Sequence, residues 1–292
     1  MQKISRRRFL ASVGVAGAAA AGYGTLVEPR RLEVTRHTIG ARTAESGEPL
    51  VLAQITDLHI HGIGPVHRAV AARLAQLRPH AVLLTGDSVD DAADLPVLAE
   101  FLALLDRRTP KYAILGNWEH WAGVDRGELA ELYARHGGRL LVNETAVHAH
   151  AGRRLGITGL DDLVGAPELR GALTGAEPAH ARLLLAHSPA YRDRLRDDAA
   201  PAAIAGATIS RGVEAEAEAA GFRAMLSGHT HGGQVALFGW APLLPPGSAG
   251  YARGWFRDPG KVPLYVSRGI GESVLPVRLG SVPELAIHTV WV

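Results

Sequence analysis

A repeated change of hydrophobic period narrows the possible folds more than any other feature of this chain. "PLVLAQITDLH" (residues 49–59) is a short apolar run that ends in polar residues. "VHRAVAARLAQL" (66–77) follows, with Val66, Val70, Leu74 and Leu77 at helical spacing, and then a second apolar run, "HAVLLTGDSVD" (80–90). The unit recurs: "LPVLAEFLALL" (95–105) reads as the next helix and "KYAILGNWEHW" (111–121) as a strand with its exit loop. "GELAELYARHG" (127–137) then reads as a helix closed by Gly137. A βαβαβα order lays successive strands parallel, because each helix returns the chain to the same end of the sheet. An α/β fold with the helices outside is expected.

The later half reads differently. "LLVNETAVHAH" (140–150) and "RRLGITGLDD" (153–162) suit a hairpin-like pair, and "ARLLLAHSP" (181–189) suits a strand stopping at His187. "FRAMLSGHTHGGQVALF" (222–238) suggests a strand, a loop and a second strand. "VPLYVSRGIG" and "ELAIHTVWV" close the chain as short strands. Parallel units first and antiparallel strands later is the expected order. "VEAEAEAAG" (213–221) reads as an exposed helix with solvated glutamates, and the Pro/Gly-rich stretch 239–263 as a long loop bordering a binding site. His148 and His150 on their strand, and the Asp161–Asp162 turn, are expected to face solvent.

The chain has 292 residues, 47% of them hydrophobic, enough for a sizeable core. Its net charge of +2 comes from its start, where Lys3, Arg6, Arg7 and Arg8 are clustered; the rest carries 27 basic against 29 acidic residues. That balance argues against a nucleic-acid-binding surface. "SRRRFLASVGVAGAAAAGYG" (5–24) resembles a twin-arginine export signal, with Arg6 and Arg7 as the pair and Phe9 and Leu10 after them. The resemblance implies the twin-arginine export machinery as a partner, and a location in the periplasm or on the outer face of the cytoplasmic membrane or cell wall. Residues 1–30 are accordingly assigned to the signal and 31–292 to the functional domain, expected to be a monomer. If the signal is retained, Phe9 to Val27 approaches the ~20 residues of a membrane anchor.

Polar residues gather where the apolar runs end: Asp57 and His59 in "TDLH", Asp87 in "TGDS", Asn117 in "GNWEH", His187 in "AHSP", and His229 and His231 in "GHTH". Strand exits of this kind form the ligand crevice of α/β sheets. Cysteine is absent, so any metal must be held by imidazole and oxygen. Seven such side chains exceed the coordination shell of one divalent ion, whereas two ions sharing one carboxylate can use them all. The expected site is dinuclear.

In this order the motifs D-x-H, G-D, G-N, a lone H and G-H-x-H resemble those of the calcineurin-like metallophosphoesterase superfamily, over about Leu50 to Val292. The arginine signal, "GHTHGGQ" and "SRGIGESVLPVRLGSVPEL" resemble most closely its exported bacterial phosphodiesterases of the YkuE and YaeI type. The resemblance implies a four-layer α/β/β/α sandwich with two mixed sheets. It also implies two divalent metal ions (Mn, Fe or Zn), the first on Asp57, His59 and His231, the second on Asn117, His187 and His229, with Asp87 between them. The implied activity is hydrolysis of an envelope phosphoester, most simply a phosphodiester, by attack of a metal-bridging hydroxide. The alternatives are a pyrophosphohydrolase of a nucleotide-linked lipid and a non-catalytic metal-binding or scaffold protein. The glycines flanking His229 and His231 let the backbone approach closely.

One position departs from the pattern. The family places a proton-donating histidine directly after the motif asparagine, and here that residue is Trp118, whose indole has no proton to give at neutral pH. His120 is favoured over His61 as the general acid, and Glu119 is expected to orient a ligand.

Overall fold

A computed structural model describes residues 6–43, 46–195, 221–237 and 239–292. In chain order its elements are α1 (Arg6–Leu26), β1 (Glu33–Ile39), β2 (Leu50–Ile55), α2 (Pro65–Leu77), β3 (Ala81–Thr85) and α3 (Leu95–Ala103). They continue with β4 (Lys111–Ile114), α4 (Asn117–Trp121), α5 (Arg126–Arg135), β5 (Gly138–Leu140), β6 (Glu144–His150) and β7 (Arg153–Gly159). The remainder is α6 (Leu169–Leu173), β8 (Ala181–Leu185), α7 (Tyr191–Arg194), β9 (Phe222–Ser227), β10 (Gly254–Phe256), β11 (Leu264–Val266) and β12 (Glu284–Val290). The expected helix at 213–221 falls almost wholly outside the described residues.

The strands form two six-stranded sheets, ordered β1-β12-β2-β3-β4-β5 and β10-β11-β9-β8-β7-β6. Three apolar layers separate the four layers of structure. Val66, Val70, Leu74, Leu98, Phe101 and Leu129 of α2, α3 and α5 pack on one face of the first sheet. Leu52, Leu83 and Ile114 meet Leu155, Leu183 and Leu226 between the sheets. Leu169 and Tyr191 of α6 and α7 cover Leu184, Met225 and Leu264 on the outer face of the second. A strand buried on both faces reads as a continuous apolar run, which is why "LVLAQI" and "AVLLT" lack alternation. The fold is the expected α/β/β/α sandwich.

Four details differ from expectation. The second sheet is largely parallel, since β7, β8, β9 and β11 run together and only its two ends, β6–β7 and β10–β11, are antiparallel. Among the described residues no regular strand directly follows the glycines after His231; Val235 and Leu237 make isolated bridges to Leu279 and Trp240. His148 is buried against Tyr112, and His150 stacks on His80 at 3.9 Å, so neither lies open to solvent. The "NWEH" exit folds into the short helix α4 instead of a loop.

Helix α1 forms over the arginine-led segment, but its alanines and glycines are weakly apolar. No helix among the described residues is long and apolar enough to cross a membrane. Contact with the sandwich begins inside the first thirty residues: the Gly24 carbonyl accepts from Arg278 N–H at 2.9 Å, and buried Glu28 accepts from Ser281 N–H at 2.6 Å.

Candidate metal centre

Strands β2, β3 and β4 of the first sheet and β8 and β9 of the second end on one side of the sandwich. Their exit loops carry Asp57 and His59, Asp87, Asn117, His187, and His229 with His231 respectively. Main-chain bonds zip the loops together: Asp57 N–H to Gly86 O at 3.0 Å, His59 N–H to Asp87 O at 3.1 Å, and Gly228 N–H to His187 O at 3.2 Å. The two sheets are joined directly when His229 N–H donates to Asp57 Oδ1 at 2.8 Å.

All seven side chains are buried and converge. Asp57, His59 and His231 form one group and Asp87, His187 and His229 another, each with one potential ligand atom per residue within 4.8 Å of the others. Asn117 joins the second group, its Oδ1 2.8 Å from His229 Nδ1. Asp87 Oδ2 lies 2.9 Å from His187 Nε2 and 3.8 Å from His59 Nε2, between the groups.

The residues fit a pair of cations, as the hydrogen bonds around them make plain. His187 gives its Nδ1 proton to the Thr85 carbonyl at 2.8 Å, and His229 gives its Nε2 proton to the Pro246 carbonyl at 2.7 Å. His229 Nδ1 therefore presents its lone pair to Asn117 Oδ1 at 2.8 Å, and His187 Nε2, 3.3 Å away, faces Asp87 Oδ2. Two facing acceptors are repulsive unless a positive charge sits between them. In the other group, His59 Nδ1 is taken by Asp90 and His231 Nδ1 faces the Gly271 carbonyl, leaving the two Nε2 atoms 3.0 Å apart. Beside them Asp57 Oδ2 is buried with no hydrogen-bond partner among the described residues, an arrangement costly for a carboxylate oxygen unless an ion completes it.

Charge at the site follows the same logic. Burial raises the Asp57 carboxyl above its ordinary range. Burial alone would also raise Asp87, but His187, His59 and the Trp118 N–H hold it far below the carboxylate range. Burial would lower His187, yet the charge and hydrogen bond of Asp87 lift it well above the ordinary imidazole value. His229 and His231 are lowered, by burial first and then by neighbouring histidines, which keeps them neutral and able to ligate.

Five of the seven, Asp57, His59, Asp87, His229 and His231, have φ between 42° and 73°. Non-glycine residues in this left-handed region carry strain of order 1–3 kcal/mol each, and it persists where the surroundings over-determine the backbone. Gly228 shows how tightly they do so: a Cβ there would overlap Thr56 and Asp57. Glu119 secures the loops from beneath, accepting from Asp87 N–H (3.1 Å), Ser88 N–H (2.6 Å) and Gly116 N–H (2.8 Å). Burial, then the nearness of Asp87, pushes its carboxyl up to about 7.

His120 does not join the seven. Its Nε2 is bonded to Asp161 at 2.6 Å, and it is not among the residues that line the cavity over the ligands. His61 is held between Asp94 and Asp90 and also stays off the cavity wall. Trp118 does line it, its ring edge-on to His59. The Asp161–Asp162 turn is not solvated as expected: Asp162 is buried, accepts from Ser188 Oγ at 2.8 Å and lines the cavity.

Sequence reasoning missed the outer partners Asp90, Thr85, Pro246 and Arg278. Arg278 is buried 254 positions after Gly24, donates to the carbonyls of Arg268, Ser281 and Gly271, and lies 3.2 Å from His231 Nδ1. Main-chain carbonyls carry no signal in sequence. Asp90 was visible one turn beyond Asp87 but is indistinguishable there from a capping residue.

Residues 50–233 match the family model described as calcineurin-like phosphoesterase. The chain is 29% identical to the uncharacterized metallophosphoesterase YkuE of Bacillus subtilis, over 99% of this chain and 98% of that protein. It is also 29% identical to the phosphodiesterase YaeI of Escherichia coli, over 97% and 98% respectively. Among solved structures, the 5′-nucleotidase precursor of Thermus thermophilus superposes with a TM-score of 0.45 at 17% identity, covering 76% of this chain and 49% of that one.

Proposed function

The chain belongs to the calcineurin-like phosphoesterase family and is a metal-dependent phosphoric ester hydrolase; from that premise we propose that it cleaves a phosphodiester of the cell envelope. The observation that carries the catalytic reading is Asp87 Oδ2 between two groups of lone-pair donors, with Asp57 Oδ2 buried and unpaired beside it. Asp57, His59 and His231 are assigned to one divalent ion, Asn117, His187 and His229 to the other, and Asp87 to both. Such ions, when bound, activate water near neutral pH and neutralise charge on the phosphoryl oxygens.

The chain's own groups prepare that chemistry. Thr85 and Pro246 carbonyls fix the tautomers of His187 and His229. Trp118 N–H holds Asp87 Oδ1 at 2.9 Å, which turns Oδ2 inward. Apart from the ligands themselves, no imidazole, lysine or arginine lines the cavity among the described residues. No imidazole other than the ligands is therefore assigned to the leaving oxygen, and His120 is assigned to holding the Asp161 turn. The rate should then depend steeply on leaving-group pKa, aryl esters being cleaved far faster than alkyl esters.

The diester preference is supported by the name of YaeI, and the envelope by the arginine pair Arg6–Arg7 ahead of α1. Asp87→Asn is expected to lower hydrolysis of bis-p-nitrophenyl phosphate at least about a hundredfold, with the circular-dichroism spectrum retained. Turnover near wild type in a well-folded Asp87→Asn protein would sink the proposal.

A further inference from the structure

The cavity over the metal centre has a volume of about 760 Å³, within the roughly 300–1,000 Å³ typical of sites that bury a drug-sized ligand. Its floor is Asp87, Asn117, His229 and His231, and its walls are of another character. Trp118, Trp121, Leu163, Leu243, Val274 and Leu275 all line it. Among the described residues no lysine or arginine lines it, and the one acidic wall residue, Asp162, is already bonded to Ser188 and Val164 N–H.

The apolar surface continues outward. Leu243 is 81% and Val274 84% exposed, and Trp121 and Leu275 are exposed beside them. Solvent-exposed apolar side chains that join into one rim mark a binding surface, unlike apolar residues scattered singly. Among the described residues a second phosphate, a polyanionic chain or a nucleotide diphosphate would find no cationic side chain on the cavity wall, whereas a hydrocarbon chain would find the apolar side chains of Trp118, Trp121, Leu243 and Leu275.

We infer that the substrate is a lipid phosphodiester: a single phosphate seated on the floor, with a hydrocarbon chain lying along Trp118, Trp121, Leu243 and Leu275 and emerging at the rim. This rests on the phosphodiesterase reading above and names its substrate class. It also disfavours the pyrophosphohydrolase alternative, which needs a place for two adjacent phosphates and a nucleoside.

The test is a chain-length series on the metal-loaded protein, using p-nitrophenyl phosphodiesters of methanol, butanol, octanol and dodecanol below their micellar concentrations, with thymidine 5′-p-nitrophenyl phosphate as the nucleotide. The leaving group is constant, so differences report the other arm. Each two added methylenes should raise kcat/KM up to roughly fifteenfold until the cavity is filled, the ratio that about 0.8 kcal/mol per buried CH₂ gives. The nucleoside ester should rank with the methyl ester.

Replacing Leu243→Asp together with Val274→Asp, both at exposed positions, should lower the dodecyl-to-methyl ratio of kcat/KM at least tenfold. Because it is a ratio, it is insensitive to the folded fraction. A flat series, or preference for the nucleoside ester over the dodecyl ester, overturns the inference and leaves the phosphodiesterase reading standing. If none of the esters is cleaved, that reading falls, and the binding arm decides the lipid site alone. Tryptophan fluorescence should respond to dodecylphosphonate at concentrations at least a hundredfold below methylphosphonate, and equal affinities would refute the site.

Discussion

At the scale of single residues, the centre depends on side chains that never touch an ion as much as on those assigned to one. Glu119 accepts three main-chain N–H groups from two loops, so replacing one of its oxygens by an NH₂ sets donor against donor. Glu119→Gln is expected to weaken metal affinity about 10–100-fold, the usual cost of losing such a supporting group, as isothermal titration with Mn²⁺ would measure. Unchanged affinity would mean that the loops hold their shape without it. His120→Gln, by contrast, is expected to change kcat less than tenfold, because His120 lies off the cavity wall and pairs with Asp161. A loss of a hundredfold or more, with the alkaline limb of the pH–rate profile abolished, would restore it as the general acid. The seven converging residues were legible because each ends an apolar run. The left-handed backbone that aims five of them was not, since aspartate and histidine in "TDLH" or "GHTH" adopt it only under the pull of the surrounding loops.

At the scale of elements, β12 decides whether the first sheet closes. It lies between β1, to which it is parallel, and β2, to which it is antiparallel, so a strand from the end of the chain occupies the sheet's interior. Leu285 points to the helical layer and Ala286 to the space between the sheets, both fully buried. Leu285→Ala should cost about 2–5 kcal/mol of stability, read from urea denaturation, while leaving the metal-to-protein ratio unchanged in the folded protein. A cost below about 1 kcal/mol would mean the layer closes over the missing atoms. Strands β2 and β3 and helices α2 and α3 could be read from period alone, because their burial is local to each element. Strand β1, "EVTRHTI", could not: it is an edge strand, mostly half-exposed, and its partner lies 251 positions away at Glu284. The strand expected after "GHTHGGQ" fails for a related reason, since Val235 and Leu237 find only single bridges to pair with.

At the scale of the whole molecule, the sandwich encloses histidines unconnected with the metal centre. His288, on β12 between the sheets, is lowered to about 3, and His67, on α2, to about 4, in both cases by burial first. Folded values below the unfolded value of about 6.5 mean that the unfolded chain binds the extra protons. Their stabilising contribution is therefore complete above pH 6.5 and is lost as pH falls toward those values, at about 1.4 kcal/mol per pH unit for each group. Urea midpoints of metal-loaded protein between pH 7 and pH 5 should fall with that slope, and His288→Gln should make it shallower. An identical slope in the variant would contradict the assignment. The four layers were expected from the family motifs, but not the apolar cavity above the centre, because Trp118, Leu243 and Val274 meet only when three distant loops are folded together.

The proposed chemistry depends on two cations sharing Asp87. Crystals of the stripped protein soaked in Mn²⁺, with data collected at the manganese absorption edge, test for them most directly. Two anomalous peaks are predicted, one among Asp57, His59 and His231 and one among Asn117, His187 and His229, with the Asp87 carboxylate between them. A single peak, or peaks away from these seven side chains, would contradict it.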